Sequence, residues 1–195
     1  MAHYFTNDKL ESNMKLIDVF VLGRKYSFYT DNGVFSKDGL DFGSRLLLES
    51  IPLGEVGGKI LDMGCGFGVI GLTVANNTSG IIDMVDVNLR AIHLAKMNAK
   101  KNNINNVNVF ESSCYTNVVD KYSTIITNPP IRAGKKIVYE IVMGAKDYLL
   151  DDGKLFIVIR KEQGAKSLIL DLEKLYYVNI INKKKGFFIL ECMKK

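Results

Sequence analysis

Two short runs hold most of the chemistry open to this 195-residue chain. The first is Asp62-Met63-Gly64-Cys65-Gly66-Phe67-Gly68, a carboxylate at the end of an apolar run, then alternating glycines, then a helical pattern over residues 69–76. Glycine reaches positive φ and lets the backbone approach a ligand closely, and a helix start offers free N–H groups. The second is Asn128-Pro129-Pro130, which closes the apolar run Ile125-Ile126-Thr127 with two of the chain's three prolines. Proline has no N–H and fixes φ, so this corner is stiff and rich in acceptors.

The glycines alone do not choose a ligand, because residues 66–71 also fit the G-x-G-x-x-G spacing of dinucleotide binders. Asp62 tips the choice: a carboxylate before the loop repels a pyrophosphate but holds the ammonium of an amino-acid cofactor. S-adenosylmethionine carries that ammonium and no phosphate. Asp86, ending the run 81–87, stands where a carboxylate accepts from both ribose hydroxyls, with Val87 beside it. Its other use is as a helix N-cap, a role open to Asn88 instead. Glu111-Ser112-Ser113 forms the loop expected nearest the adenine. At the second run, the Asn128 side-chain oxygen and the Pro129 carbonyl can hold both N–H bonds of a planar, conjugated NH2 group. That draws its lone pair toward a methyl donor, a step carried by positioning without histidine or metal.

The elements that must position these runs are legible from patterning. Residues 16–22 and 26–29, separated by Gly23-Arg24-Lys25, predict an N-terminal β-hairpin, and Asp41 is placed to cap a helix that ends by Pro52. From Lys59, strand-like runs (60–63, 81–87, 107–110, 124–127, 155–159) alternate with helical ones (69–76, 89–102, 136–150, 164–175). Such alternation predicts a doubly wound, mostly parallel α/β sheet. The last two runs, 177–181 and 187–192, have only five residues between them and predict a hairpin that finishes the sheet in an antiparallel strand. Both chemical runs then lie at the carboxyl ends of the strands and face one pocket.

Composition excludes other classes. With 47% hydrophobic and 24% charged residues the chain is neither disordered nor a fibrous repeat. Cys65, Cys114 and Cys192 are odd in number and widely spaced, which argues against a disulfide scaffold or a zinc site. Only His3 and His93 are available, so histidine catalysis and a metal centre are not expected. No apolar stretch approaches the ~20 residues of a membrane span, and a cytoplasmic protein is expected.

The residues 61–68, 85–88 and 127–135, together with Gly33-Val34-Phe35-Ser36-Lys37-Asp38-Gly39-Leu40-Asp41-Phe42-Gly43-Ser44-Arg45, resemble the class I S-adenosylmethionine-dependent methyltransferases of the small type. Within them the similarity is to the 16S ribosomal RNA guanine-N2 methyltransferases. Some members have two tandem methyltransferase-like halves, and this chain resembles a stand-alone catalytic half. The resemblance implies a seven-stranded Rossmann-like domain; Pro52 with Gly54, Gly57 and Gly58 sets a boundary near residue 55, so that domain is expected over residues 55–195 with the hairpin and helix of residues 1–54 packed on it. The resemblance also implies that Asp62, Gly64, Cys65, Gly66, Gly68, Asp86, Val87, Ser112, Ser113 and Asn128 bind S-adenosylmethionine and that Asn128, with Pro129 and Pro130, also grips the target amine. Ser113 and Ser123 replace aspartates usual in relatives. Ile131 stands where adenine and protein-glutamine methyltransferases carry Tyr or Phe, which places those two targets behind guanine.

Charge placement points to nucleic acid independently. The net charge is +5, and Arg132, Lys135 and Lys136 follow the fourth strand of the main sheet, Arg160 and Lys161 the fifth, and Lys183, Lys184 and Lys185 the sixth. All are expected on the cofactor rim, where phosphates would be held. Phe35, Tyr115 and Tyr139 are candidate stacking partners for a base. The expectation is a monomer that methylates small-subunit ribosomal RNA. Methylation of adenine N6 or a glutamine amide, and a dinucleotide-dependent oxidoreductase, are the alternatives.

Overall fold

A computed structural model describes residues 10–195, so His3 lies outside the described residues. Strands β1 (Lys15–Val21) and β2 (Arg24–Thr30) form an antiparallel hairpin. Its turn is only Leu22-Gly23, with φ of 50° and 74°. Two positive-φ residues match the strand twist, so Arg24 and Lys25 belong to β2 and not to the connection expected for them.

The main sheet comprises β3 (Lys59–Met63), β4 (Ile81–Asp86), β5 (Val107–Glu111), β6 (Tyr122–Thr127), β7 (Leu149–Arg160), β8 (Tyr176–Lys184) and β9 (Phe187–Lys194). Their order is β5-β4-β3-β6-β7-β9-β8, and only β9 runs antiparallel to its neighbours. The β8–β9 turn is Lys185-Gly186, both at positive φ. Asn182, Lys183 and Lys184 therefore extend the strand, where a five-residue connection was expected. Helices α1 (Phe42–Ser50), α2 (Val69–Ala75), α3 (Leu89–Lys101), α4 (Lys135–Tyr148) and α5 (Ala165–Leu172) complete the fold.

The two faces of the sheet divide the core by the period of two that a strand imposes. Ile60, Ile126, Phe156 and Val158 pack with α1, α2, α3 and the hairpin, whereas Leu61, Ile125, Leu155 and Ile157 pack with α4 and α5. The chain thus winds one way from β3 to β5 and the other way from β6 onward, which leaves a crevice at the carboxyl ends of β3 and β6.

The hairpin is held by side-chain amides. On α3, Asn98 accepts from Tyr29 N (2.6 Å) and donates to Tyr29 O (2.9 Å), while one turn later Asn102 accepts from Ser27 N (3.1 Å) and donates to Ser27 O (2.9 Å). These two residues, one in the last turns of α3 and the other its C-cap, imitate a neighbouring strand for β2. Asn98 also donates to Phe67 O at 2.8 Å, tying the hairpin to the glycine loop.

Candidate active site

The loop after β3 is pinned from behind. Gly64 N and Cys65 N both donate to Val85 O at 2.9 Å, and Thr127 Oγ1 at the end of β6 donates to Met63 O at 2.9 Å. Gly64 (φ 78°) and Gly66 (φ 55°) adopt the left-handed region, and a Cβ at either would meet nothing within 4 Å. They leave a backbone cradle open to the cavity. Gly68 serves packing instead: it caps α2, and its Cβ would lie 3.0 Å from Leu72 Cδ1 and 3.1 Å from Met84 Cε.

Asp86 sits at the end of β4 and lines the cavity. Its Oδ2 accepts from Gly66 N (2.8 Å) and its Oδ1 from Asn88 N (2.9 Å). Burial raises its pKa above the ordinary value, opposed by the N–H groups of Asn88, Gly66 and Val87. The helix cap is Asn88, whose side chain accepts from Arg90 N and Ala91 N. Asp86 is thus relieved of capping, and its carboxylate spans the loop and the strand end.

Asp62 lies behind the loop, 1% exposed and absent from the cavity wall. Its Oδ2 accepts from Gly71 N at 2.8 Å, in the first turn of α2, and its buried Oδ1 has no partner among the described residues. Burial, with a smaller contribution from Asp86, pushes its pKa up to about 7 against the pull of the Gly71 N–H. An unpaired carboxylate oxygen beside the cradle fits a cationic ligand group and disfavours a phosphate. The Cys65 thiol on the cavity wall is pushed well up by burial and by both carboxylates, which leaves it protonated and inert.

The cavity encloses about 940 Å³. Its floor is the cradle, Asp86 and Val87. One side is Ser112 and Ser113, with Ser112 Oγ bonded to Cys114 O at 2.7 Å. The opposite side is Asn128-Pro129-Pro130, followed by a short 3-10 turn, Ile131–Ala133, that carries Arg132 to the mouth. The roof is the segment 33–41, fastened at its start by Asn88 Nδ2 to Gly33 O (2.8 Å) and Arg90 Nη1 to Asn32 O (2.7 Å). Asn128 Nδ2 donates to Ser44 Oγ in α1 at 2.9 Å, and no described residue donates to its Oδ1. Two acceptors remain there for a planar amine: Asn128 Oδ1 and the Pro129 carbonyl.

The structure therefore gathers Gly64, Cys65, Gly66, Asp86, Val87, Ser112, Ser113, Asn128, Pro129, Pro130, Ile131 and Arg132 around one space. It does not bring Asp62, Gly68, Lys135, Lys183, Lys184 or Lys185 to that wall. Lys135 Nζ lies over the Tyr139 ring, Lys183 Nζ over Phe188 and Lys185 Nζ over Phe42. Lys183 stands on β8, the edge strand of the sheet, and Lys185 in the β8–β9 turn. Of the aromatic candidates only Phe35, 40% exposed, lines the cavity. Tyr115 is core, stacked on Tyr148 with its hydroxyl bonded to Ile141 O, and the Tyr139 hydroxyl is taken by Asp171. Arg160, expected on the rim, does line the cavity, and Ser44 and Phe187, not singled out from sequence, also contribute, the Arg160 guanidinium lying 5.0 Å above the Phe187 ring. Nothing in the local pattern around Ser44 marks it.

A doubly wound sheet with a glycine cradle, a buried carboxylate at the end of β4 and an acceptor corner at one crevice defines a Rossmann-like, cofactor-dependent group-transfer enzyme. The chain belongs to the methyltransferase small domain family, whose model matches residues 25–191. It is an S-adenosylmethionine-dependent methyltransferase, and the open cradle and unpaired Asp62 oxygen fit that donor. It is 43% identical over 197 residues to YbxB, an uncharacterized protein of Bacillus subtilis, covering 98% of each chain. It is 33% identical over 168 residues to the ribosomal RNA small subunit methyltransferase C of Psychromonas ingrahamii, covering 84% of this chain and 47% of that one. In fold it is similar to the 16S rRNA N2 G1207 methyltransferase of T. thermophilus, solved with AdoMet and guanosine: TM-score 0.85 at 24% identity, over 96% of this chain and 52% of that one. The chain spans about half the length of these two ribosomal RNA methyltransferases. Among the described residues no helix is long and apolar enough to cross a membrane.

Proposed function

We propose that the protein methylates the exocyclic N2 amine of a guanine in small-subunit ribosomal RNA, acting as a monomer in the cytoplasm. The observation that carries this reading is the meeting of the glycine cradle and the Asn128-Pro129 acceptor pair in one cavity. The relatives named for small-subunit ribosomal RNA methylation support the substrate class, and Ile131 at the corner supports guanine over adenine or glutamine.

Bound S-adenosylmethionine supplies an electrophilic methyl group on a sulfonium. Gly64 and Gly66 admit the donor to the loop, Asp86 takes the ribose hydroxyls, and the Ser112-Ser113 loop borders the adenine. Asn128 Oδ1 and the Pro129 carbonyl accept the two N–H bonds of the guanine amine, which turns its lone pair toward the methyl group. Pro129 and Pro130 keep that geometry stiff, so orientation is established before the reaction. As the new N–C bond forms, the methyl–sulfur bond breaks, S-adenosylhomocysteine is the leaving group, and the amine gives up one proton to solvent. Arg132 and Arg160 at the mouth, with Lys183 and Lys184 on β8 and Lys185 in the β8–β9 turn, hold the flanking phosphates.

The test is to incubate the protein and labelled S-adenosylmethionine with undermethylated small ribosomal subunits, digest the RNA and identify the labelled nucleoside. Labelled 2-methylguanosine is expected. Labelled 6-methyladenosine would move the target, and unlabelled RNA from a protein that binds S-adenosylhomocysteine would overturn the RNA assignment.

A further inference from the structure

The acceptor corner ends on a side chain from outside the main sheet. Ser44 is 3% exposed, lies in the first turn of α1 and receives Asn128 Nδ2 at 2.9 Å, across 84 residues of chain. Its own N–H is fixed by the capping carboxylate of Asp41 at 3.0 Å. The turn cannot drift toward β9, because Gly43 lies flat against Phe187: a Cβ there would come within 2.9 Å of the Phe187 ring. Phe42 adds a tilted ring contact with Phe187 at 5.4 Å. Three consecutive residues of α1 are thus docked against the end of the chain and the acceptor corner.

An amide has an acceptor end and a donor end of nearly equal size, and rotation about its last bond exchanges them. A target amine is itself a donor, so Asn128 is productive only with Oδ1 toward the cavity. We propose that Ser44 is the positioning residue that anchors the Asn128 amide at the corner: with Nδ2 given to the Ser44 hydroxyl, Oδ1 is the end left for the target. Helix α1 is then part of the reaction machinery and more than packing against the hairpin. This inference rests on the role given to Asn128 above.

Ser44→Ala removes the hydroxyl and leaves the N-cap bond to Asp41 intact. Turnover on small-subunit RNA is expected to fall about tenfold, the scale of one net hydrogen bond, while S-adenosylhomocysteine affinity stays within about threefold. In 15N-labelled protein the Asn128 side-chain amide signal, assigned by its loss in Asn128→Ala, is expected to move and its protons to exchange faster with solvent. An unmoved Asn128 signal, turnover within about twofold, or a loss explained entirely by weaker cofactor binding would overturn the proposal. Should the wild-type protein methylate no RNA, the functional reading falls, and the Asn128 signal still decides whether Ser44 holds the amide.

Discussion

Asp62 is buried with one oxygen unpaired, and that arrangement destabilises the ligand-free protein in a pH-dependent way. Its folded pKa of about 7 stands above the ordinary 3.8 expected of the unfolded chain. Between those values the unfolded chain has released the proton and the folded chain retains it. The folded state therefore binds more protons, and stability falls as pH rises through this window, with the full loss reached above about pH 7. At 1.36 kcal/mol per pKa unit the loss is about 4 kcal/mol, of which about 3 kcal/mol falls between about pH 5 and pH 8. Asp62→Asn keeps an acceptor for Gly71 N and carries no charge. Relative to wild type it should gain about 3 kcal/mol over that range, a growing difference in melting temperature of about 6–12 °C for a chain of this size.

Binding shows the opposite preference. A ligand ammonium favours the ionised carboxylate, so wild-type affinity for S-adenosylhomocysteine should rise with pH and level off above about pH 7, with proton release below it. In Asp62→Asn both the pH dependence and much of the affinity should be lost. Thermal melts of the ligand-free proteins across the pH range, with calorimetric titrations at both ends, read both effects. Parallel melting curves for the two proteins would refute the buried, unpaired carboxylate. Unchanged binding in Asp62→Asn would refute an electrostatic coupling between this buried carboxylate and a ligand ammonium in the cradle.

Replacing Asn128 by Ala should lower turnover more than tenfold, above about 1.4 kcal/mol of transition-state stabilisation, with S-adenosylhomocysteine affinity preserved; initial rates and a binding titration check both. Asp86→Ala removes the charged acceptor of Gly66 N and Asn88 N, each such bond contributing about 1.5–3 kcal/mol. Cofactor affinity should fall at least about tenfold by calorimetry. Changing Lys183, Lys184 and Lys185 together to Ala should weaken RNA binding and reduce the slope of log affinity against log salt by about 2, at about 0.7 per phosphate contact on single strands. Filter binding at several salt concentrations measures that slope.

The legible and illegible parts of this molecule differ in the range of the interaction that makes them. Asp41 as a cap, Asn88 as the cap that frees Asp86, the alternation of strands and helices, and the antiparallel ending all follow from neighbours a few residues apart. The two hairpin turns are tighter than their sequence pattern because Leu22 and Lys185 adopt positive φ, a conformation that costs a side-chain-bearing residue and that strand pairing overrides. Asn98 and Asn102 read in sequence as an ordinary polar stripe on a helix, and only the arrival of β2 makes them an edge strand's partners. Ser44 is invisible for the same reason, since its partner is 84 residues away. Cofactor chemistry in this fold is written into short loops at strand ends, each of which carries its own geometry. The orientation of the reactive groups depends instead on polar contacts between segments distant in sequence. The Phe42-Gly43-Ser44 turn meets both the acceptor corner and Phe187, so the site is assembled from segments more than 80 residues apart in sequence.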